Sequence, residues 1–237
     1  KKKKERYLSM RYHSDPAERL NKKQIAKYAT KFLKNNSIIN LGIGIPSLCA
    51  QYITDPTILL HAENGVYGFN KFANEKNINP DYMDAGGNFL ETNKNMVFFD
   101  SVESFNLIRG GHIDTTILGA FQVSKNGDIA NWMIPKRGIG SIGGAMDLCA
   151  NTKNVIVTME HTTKLNEPKI VEKCEFPLTA VNCVNKIVTD VGVFEINYNS
   201  IILKECAPGW DVLSIQNITG VKVKCDKKVV FMDIDNV

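Results

Sequence analysis

Glu63 stands in the run His61-Ala62-Glu63-Asn64-Gly65, directly after the apolar stretch Ile58-Leu59-Leu60. A carboxylate there can serve as a nucleophile, because α/β proteins collect their ligands at the carboxyl ends of strands. Exposed glutamates at strand ends are also common, so position alone leaves function and mere solvation both open. A second candidate is Gly140-Ser141-Ile142-Gly143-Gly144-Ala145. Glycines just before a helix expose consecutive backbone N–H groups, which can hold a phosphate or stabilise an oxyanion. The same run can simply connect a hairpin to a helix. Gly42-Ile43-Gly44-Ile45-Pro46-Ser47 begins like a dinucleotide fingerprint, but serine occupies the third glycine position. No acidic residue closes a second strand at the usual distance except Glu63 itself, so a tight strand-to-helix turn is the favoured reading.

Composition narrows the alternatives. The six cysteines form no CxxC pair or cysteine–histidine cluster, and the four histidines form no HExxH. Reduced core thiols and no metal site are therefore expected. The net charge of +4 resides entirely in residues 1–6, and the rest of the chain balances to zero, which is no footprint for nucleic acid. No apolar run approaches the ~20 residues needed to cross a bilayer, so no membrane partner is expected.

These candidates need strands and helices to hold them. Residues 1–20 are polar and without period, and read as an arm or linker remnant; residues 21–237 read as one domain. The chain begins without methionine, which suggests a cut from something longer. From Asn21, the spacing of Ile25, Ala29, Phe32 and Leu33 predicts a helix ending near Asn35-Asn36. Strands are expected at Ile38–Leu41, Ile58–Ala62, Thr115–Val123 and Val155–Met159. Ser101-Val102-Glu103-Ser104 opens a helix that stops at Gly110-Gly111. Asn126-Gly127 marks a hairpin, and the last third is rich in strands. Alternation of strands and helices argues for an α/β layered open sheet, largely parallel.

Longer matches carry a family resemblance. Asn40-Leu41-Gly42-Ile43-Gly44-Ile45-Pro46 resembles the GxGxP segment of the β half of class I coenzyme A transferases, and His61-Ala62-Glu63-Asn64-Gly65 resembles their (S/A)ENG motif. Arg109-Gly110-Gly111-His112, Leu118-Gly119-Ala120-Phe121-Gln122-Val123 and Gly143-Gly144-Ala145-Met146-Asp147-Leu148 are similar to the succinyl-CoA:3-oxoacid branch. The resemblance runs in order through about residues 21–220. It implies the layered fold that this family shares with sugar isomerases. It also implies CoA transfer from succinyl-CoA or another short acyl-CoA to a 3-oxoacid such as acetoacetate.

In that family Glu63 is the position of the nucleophile, carrying CoA as a glutamyl thioester. Gly144 and Ala145 are the positions whose amides stabilise the oxyanion. The expected substrates are acyl-CoA and small carboxylic acids, with coenzyme A as a covalent intermediate and no permanently bound cofactor. An α-type half, fused or separate, would complete the site, and a homo-oligomer is implied. The compartment would be mitochondrial in a eukaryote and cytoplasmic otherwise. A non-catalytic CoA-binding or assembly subunit of the same fold is the alternative. Asn64 and Gly65 are expected to shape the turn, and Glu160 and His161 to be structural. Arg109 and Lys136 could reach CoA phosphates. His61 and Tyr67 are bulkier than the pattern leads one to expect, which could alter the pocket.

Overall fold

The computed structural model describes residues 15–138 and 140–234. In chain order the first elements are α1 (Lys22–Thr30), β1 (Ile38–Leu41), α2 (Ile45–Leu48), β2 (Leu59–Ala62), β3 (Val66–Phe69) and β4 (Val97–Phe98). Next come α3 (Ser101–Arg109), β5 (Thr115–Leu118), β6 (Gln122–Ser124), β7 (Ile129–Ala130), α4 (Ala145–Asn151) and β8 (Asn154–Met159). The last are β9 (Ile170–Val171), β10 (Val184–Thr189), β11 (Gly192–Ile196), β12 (Ile201–Cys206), α5 (Val212–Asn217) and β13 (Val223–Phe231).

The main sheet has the order β13-β12-β11-β10-β8-β5-β1-β2-β3-β4, and a small second sheet has the order β7-β6-β9. The five central strands, β10 through β2, run parallel. Outside this block the pairs β2–β3, β3–β4, β10–β11 and β11–β12 are antiparallel, while β13 is parallel to β12. The sheet is thus mixed, with the expected parallel pairing in its central block and again at the β12–β13 edge. Connection length explains the change. Three residues separate β2 from β3 and two separate β10 from β11, and so short a link joins only antiparallel strands. The central strands are largely buried; all four residues of β5 are, as expected for a strand covered on both faces, although two of them are threonines.

Local chemistry sets the helix ends. Asn21 caps α1 and forms a capping box with Gln24, and Ile25, Ala26, Tyr28 and Ala29 form the buried face. The helix ends at Thr30 rather than near Asn35. Phe32 and Leu33 instead follow in tight turns that donate to the Ala29 and Thr30 carbonyls. The single strand expected over Thr115–Val123 is two, because the chain breaks at Gly119-Ala120 and passes from the main sheet into the small one. The Asn126-Gly127 hairpin joins β6 to β7 as the dipeptide predicts.

Residues 1–14 lie outside the described residues, but 15–20, read as part of the polar arm, rest on the body. Arg19 is the anchor. Its guanidinium donates to both oxygens of Asp15 at 2.7 and 3.1 Å, to Thr162 Oγ1 at 3.1 Å and to Asp190 Oδ2 at 3.5 Å. It also stacks over the Trp210 ring at 5.3 Å. All three charged side chains are at most 4% exposed. Arg19→Met is expected to cost about 3 kcal/mol of unfolding free energy, because Asp15 and Asp190 would stay buried without their cation. Urea titration followed by circular dichroism measures it.

Candidate active site

The parallel strands end along one edge, and a cleft of about 560 Å³ opens there. Gly42 and Ile43 after β1, Glu63 after β2, Gly119 and Ala120 after β5 and Glu160 after β8 all line it. This is where an open α/β sheet places a ligand.

Three residues present Glu63. Gly65 N–H closes the turn on Ala62 O at 3.0 Å, and Phe99 N–H donates to Gly65 O at 3.0 Å. Gly65 has φ +112°, and a Cβ there would run into the Phe99 carbonyl, so the position requires glycine. Asn64 Nδ2 donates to Met83 O at 2.8 Å, tying the turn to the loop between β3 and β4. With Asn64 and Gly65 held by the fold, the Glu63 side chain faces the cleft.

The glycine loop before α4 meets it. Gly144 N–H donates to Glu63 Oε1 at 3.3 Å, across 81 residues of chain. A Cβ on Gly144 would lie 2.8 Å from Glu63 Cδ, so only glycine permits this approach. Ala145, the first residue of α4, lines the same cleft. Burial pushes the Glu63 carboxyl above the ordinary glutamate range; Asp147 adds to the rise, and the Gly144 hydrogen bond opposes it. The net result is a desolvated, more basic carboxylate touching a preset backbone donor.

Beneath Glu63 lies a polar row. Thr116, Asn40 and His61 stand in register across β5, β1 and β2. Asn40 Nδ2 lies 3.2 Å from His61 Nδ1, and His61 Nε2 lies 3.0 Å from Ser104 Oγ on α3. An amide nitrogen only donates, so Nδ1 accepts and Nε2–H donates to Ser104. Burial lowers the His61 pKa to about 4 and keeps the ring neutral. At 1% exposure His61 supports the site from below; it is outside the main cleft's lining but borders a smaller cavity beside it that Glu63 and Asn40 also line.

Of the other residues singled out, Glu160 lines the cleft, whereas His161 is sealed in the core against Thr189 and Thr219. Arg109 pairs with Asp147, and neither Arg109 nor Lys136 lines the cleft. Lys22 and Lys169 do line it, and nothing in their local sequence marked them. Among the described residues, no group of three or more His, Cys, Asp and Glu could hold a metal ion.

A coenzyme A transferase family profile matches residues 22–216. The mitochondrial succinyl-CoA:3-ketoacid coenzyme A transferase 2A of Rattus norvegicus is 44% identical over 204 residues, covering 85% of this chain and 39% of the rat protein. A succinyl-CoA:3-ketoacid coenzyme A transferase subunit from Helicobacter pylori is 44% identical over 185 residues, covering 78% of this chain and 89% of the Helicobacter protein. The chain thus spans well under half the length of the rat relative. The crystal structure of an acyl-CoA transferase apoenzyme from Escherichia coli O157:H7 shares the fold, with a TM-score of 0.72 at 19% identity over 91% of this chain and 44% of that one.

Two outcomes test the geometry. Gly65→Ala is expected to destabilise the fold by about 2 kcal/mol or more, from the left-handed backbone and the overlap with Phe99, read by urea titration. The neutral His61 gives a pH signature. Its folded pKa is depressed, so its contribution to stability is present above the unfolded value of about 6.5 and is lost as the pH falls toward 4. Over that window His61→Gln is expected to lose less stability than the wild type.

Proposed function

The chain belongs to the coenzyme A transferase family, and from that premise we propose that it is the glutamate-bearing half of a transferase with Glu63 as covalent CoA carrier. The observation that carries this reading is the Gly144 N–H held on Glu63 Oε1 at 3.3 Å. That oxygen becomes the carbonyl oxygen of any glutamyl anhydride or thioester, and it takes the negative charge when a thiolate attacks. Removing a donor so placed typically costs about 3 kcal/mol of transition-state stabilisation.

The chemistry runs in four displacements. The Glu63 carboxylate attacks the acyl-CoA carbonyl, giving a mixed anhydride and expelling CoA thiolate. The thiolate attacks the glutamyl carbonyl, and the donor leaves as its carboxylate, so Glu63 now holds CoA as a thioester. The acceptor carboxylate attacks that thioester to form a second anhydride and free the thiolate. Attack of the thiolate on the acceptor's acyl carbon releases the new acyl-CoA and restores Glu63. Each step exchanges one acyl bond for another, so thioester energy is kept. Water must be excluded from the thioester stage, and the half-buried placement of Glu63 favours this.

The names of the rat and Helicobacter relatives support succinyl-CoA and a 3-oxoacid as substrates. The lengths of the same two proteins support a partner half, either a separate α-type subunit or another part of a longer chain. Mixing the assembled enzyme with succinyl-CoA should add one CoA less one water to this chain by intact mass spectrometry. Glu63→Gln should form no adduct and lose turnover on the order of 10⁴-fold or more. The adduct-forming rate should fall as the pH drops through the raised Glu63 pKa, with its acid limb above the ~4.3 of a free glutamate. Tight CoA binding by the assembled enzyme with no adduct would point instead to a non-catalytic CoA-binding subunit.

A further inference from the structure

Helix α3 touches both members of the Glu63–Gly144 pair. It leaves the Glu63 turn directly: Phe99, whose N–H donates to Gly65 O, precedes the N-cap Asp100, and Asp100 Oδ1 accepts from Glu103 N–H at 2.9 Å. One turn on, Ser104 is fully buried with its Oγ 3.0 Å from His61 Nε2 on β2. The next residue, Phe105, brings its ring 3.1 Å from the point where a Gly144 Cβ would stand. At the far end Arg109 Nε donates at 2.7 Å to Asp147 Oδ1, in the first turn of the helix that Gly144 caps. One helix therefore grips the strand that delivers the carboxylate and the loop that delivers the donor.

The His61 ring is the link on the strand side. Asn40 Nδ2 donates to its Nδ1 at 3.2 Å, while its Nε2–H reaches Ser104, so both nitrogens are used in a fixed tautomer. Only Ala62 separates His61 from Glu63 along the chain. A shift of α3 relative to β2 therefore changes the spacing between Glu63 and Gly144.

We propose that His61 is a positioning residue for Glu63: its bonds to Asn40 and Ser104 lock α3 against the end of β2 and hold the carboxylate within reach of Gly144 N–H. The inference rests on the reading of Glu63 as CoA carrier. His61 and Ser104 lie outside the main cleft's lining, their partner Asn40 contributes to it, and His61 borders a smaller cavity that Glu63 also lines. Losing the His61 bonds is therefore expected to act on the rate of the chemical step rather than on substrate binding.

The test measures adduct formation by quenched flow, using the chain assembled with its partner half and succinyl-CoA. His61→Leu keeps bulk but loses both hydrogen bonds, and should slow adduct formation at saturation on the order of 10²-fold with the half-saturating concentration within about twofold of wild type. His61→Gln, with one acceptor and one donor, should return to within about threefold of wild type, and Ser104→Ala should fall between the two. Ile187→Val, a core change in β10, serves as a control for destabilisation alone and should keep the wild-type rate. A wild-type rate in His61→Leu, or a His61→Gln enzyme as slow as His61→Leu, would overturn the proposal. If His61→Leu does not fold, Ser104→Ala decides it, and an unchanged rate there has the same force. Absence of any adduct in the wild type would instead overturn the reading of Glu63.

Discussion

Everything at the cleft follows from one close approach, the Gly144 backbone against the Glu63 carboxylate. A half-buried carboxylate is disfavoured by desolvation, and a single N–H returns part of that loss. Side-chain donors could do the same, but a backbone donor cannot change rotamer and does not need to be reoriented during a reaction. The approach requires position 144 to have no side chain, position 65 to take a left-handed backbone and α4 to begin where it does. Each of these is a geometric demand that the local sequence meets.

The sheet supplies the frame. Five parallel strands bring loops that are far apart in sequence to one edge, and a short turn reverses the chain on each side of that block, from β2 to β3 and from β10 to β11. Glu63 sits at the boundary between these regimes, because β2 ends the parallel block and begins the first hairpin. The tight turn that reverses the chain is also the turn that points the carboxylate outward.

Much of this was legible in the sequence. Glu63 follows an apolar strand and precedes a turn dipeptide, and glycines ahead of a helix announce exposed backbone donors. The helix at Ser101 and the hairpin at Asn126-Gly127 also follow from local rules. What stayed hidden is non-local. No periodicity joins His61 to Ser104, 43 residues apart, or Arg19 to Asp190, 171 apart. The run Thr115–Val123 reads as one strand because strand-favouring residues such as Thr116, Ile117, Phe121 and Val123 stand on both sides of Gly119-Ala120; only the layout of two sheets shows why it breaks there. Strand β13 escaped because the charged run Asp226-Lys227-Lys228 interrupts its apolar pattern, and charged residues are common on edge strands.

The clasp around Arg19 has a further consequence for how the molecule holds together. It joins the segment entering α1 to the end of β10 and to Trp210, so the first described residues and the last third of the chain open or close together. A contact with so large a sequence separation forms only after most of the chain is organised, since loop closure over that length must be compensated by structure already in place. Residues 15–20 thus act as a late-closing seal over β10 and the turn before α5. Amides of residues 15–20 are thereby tied to the same cooperative unit as the sheet.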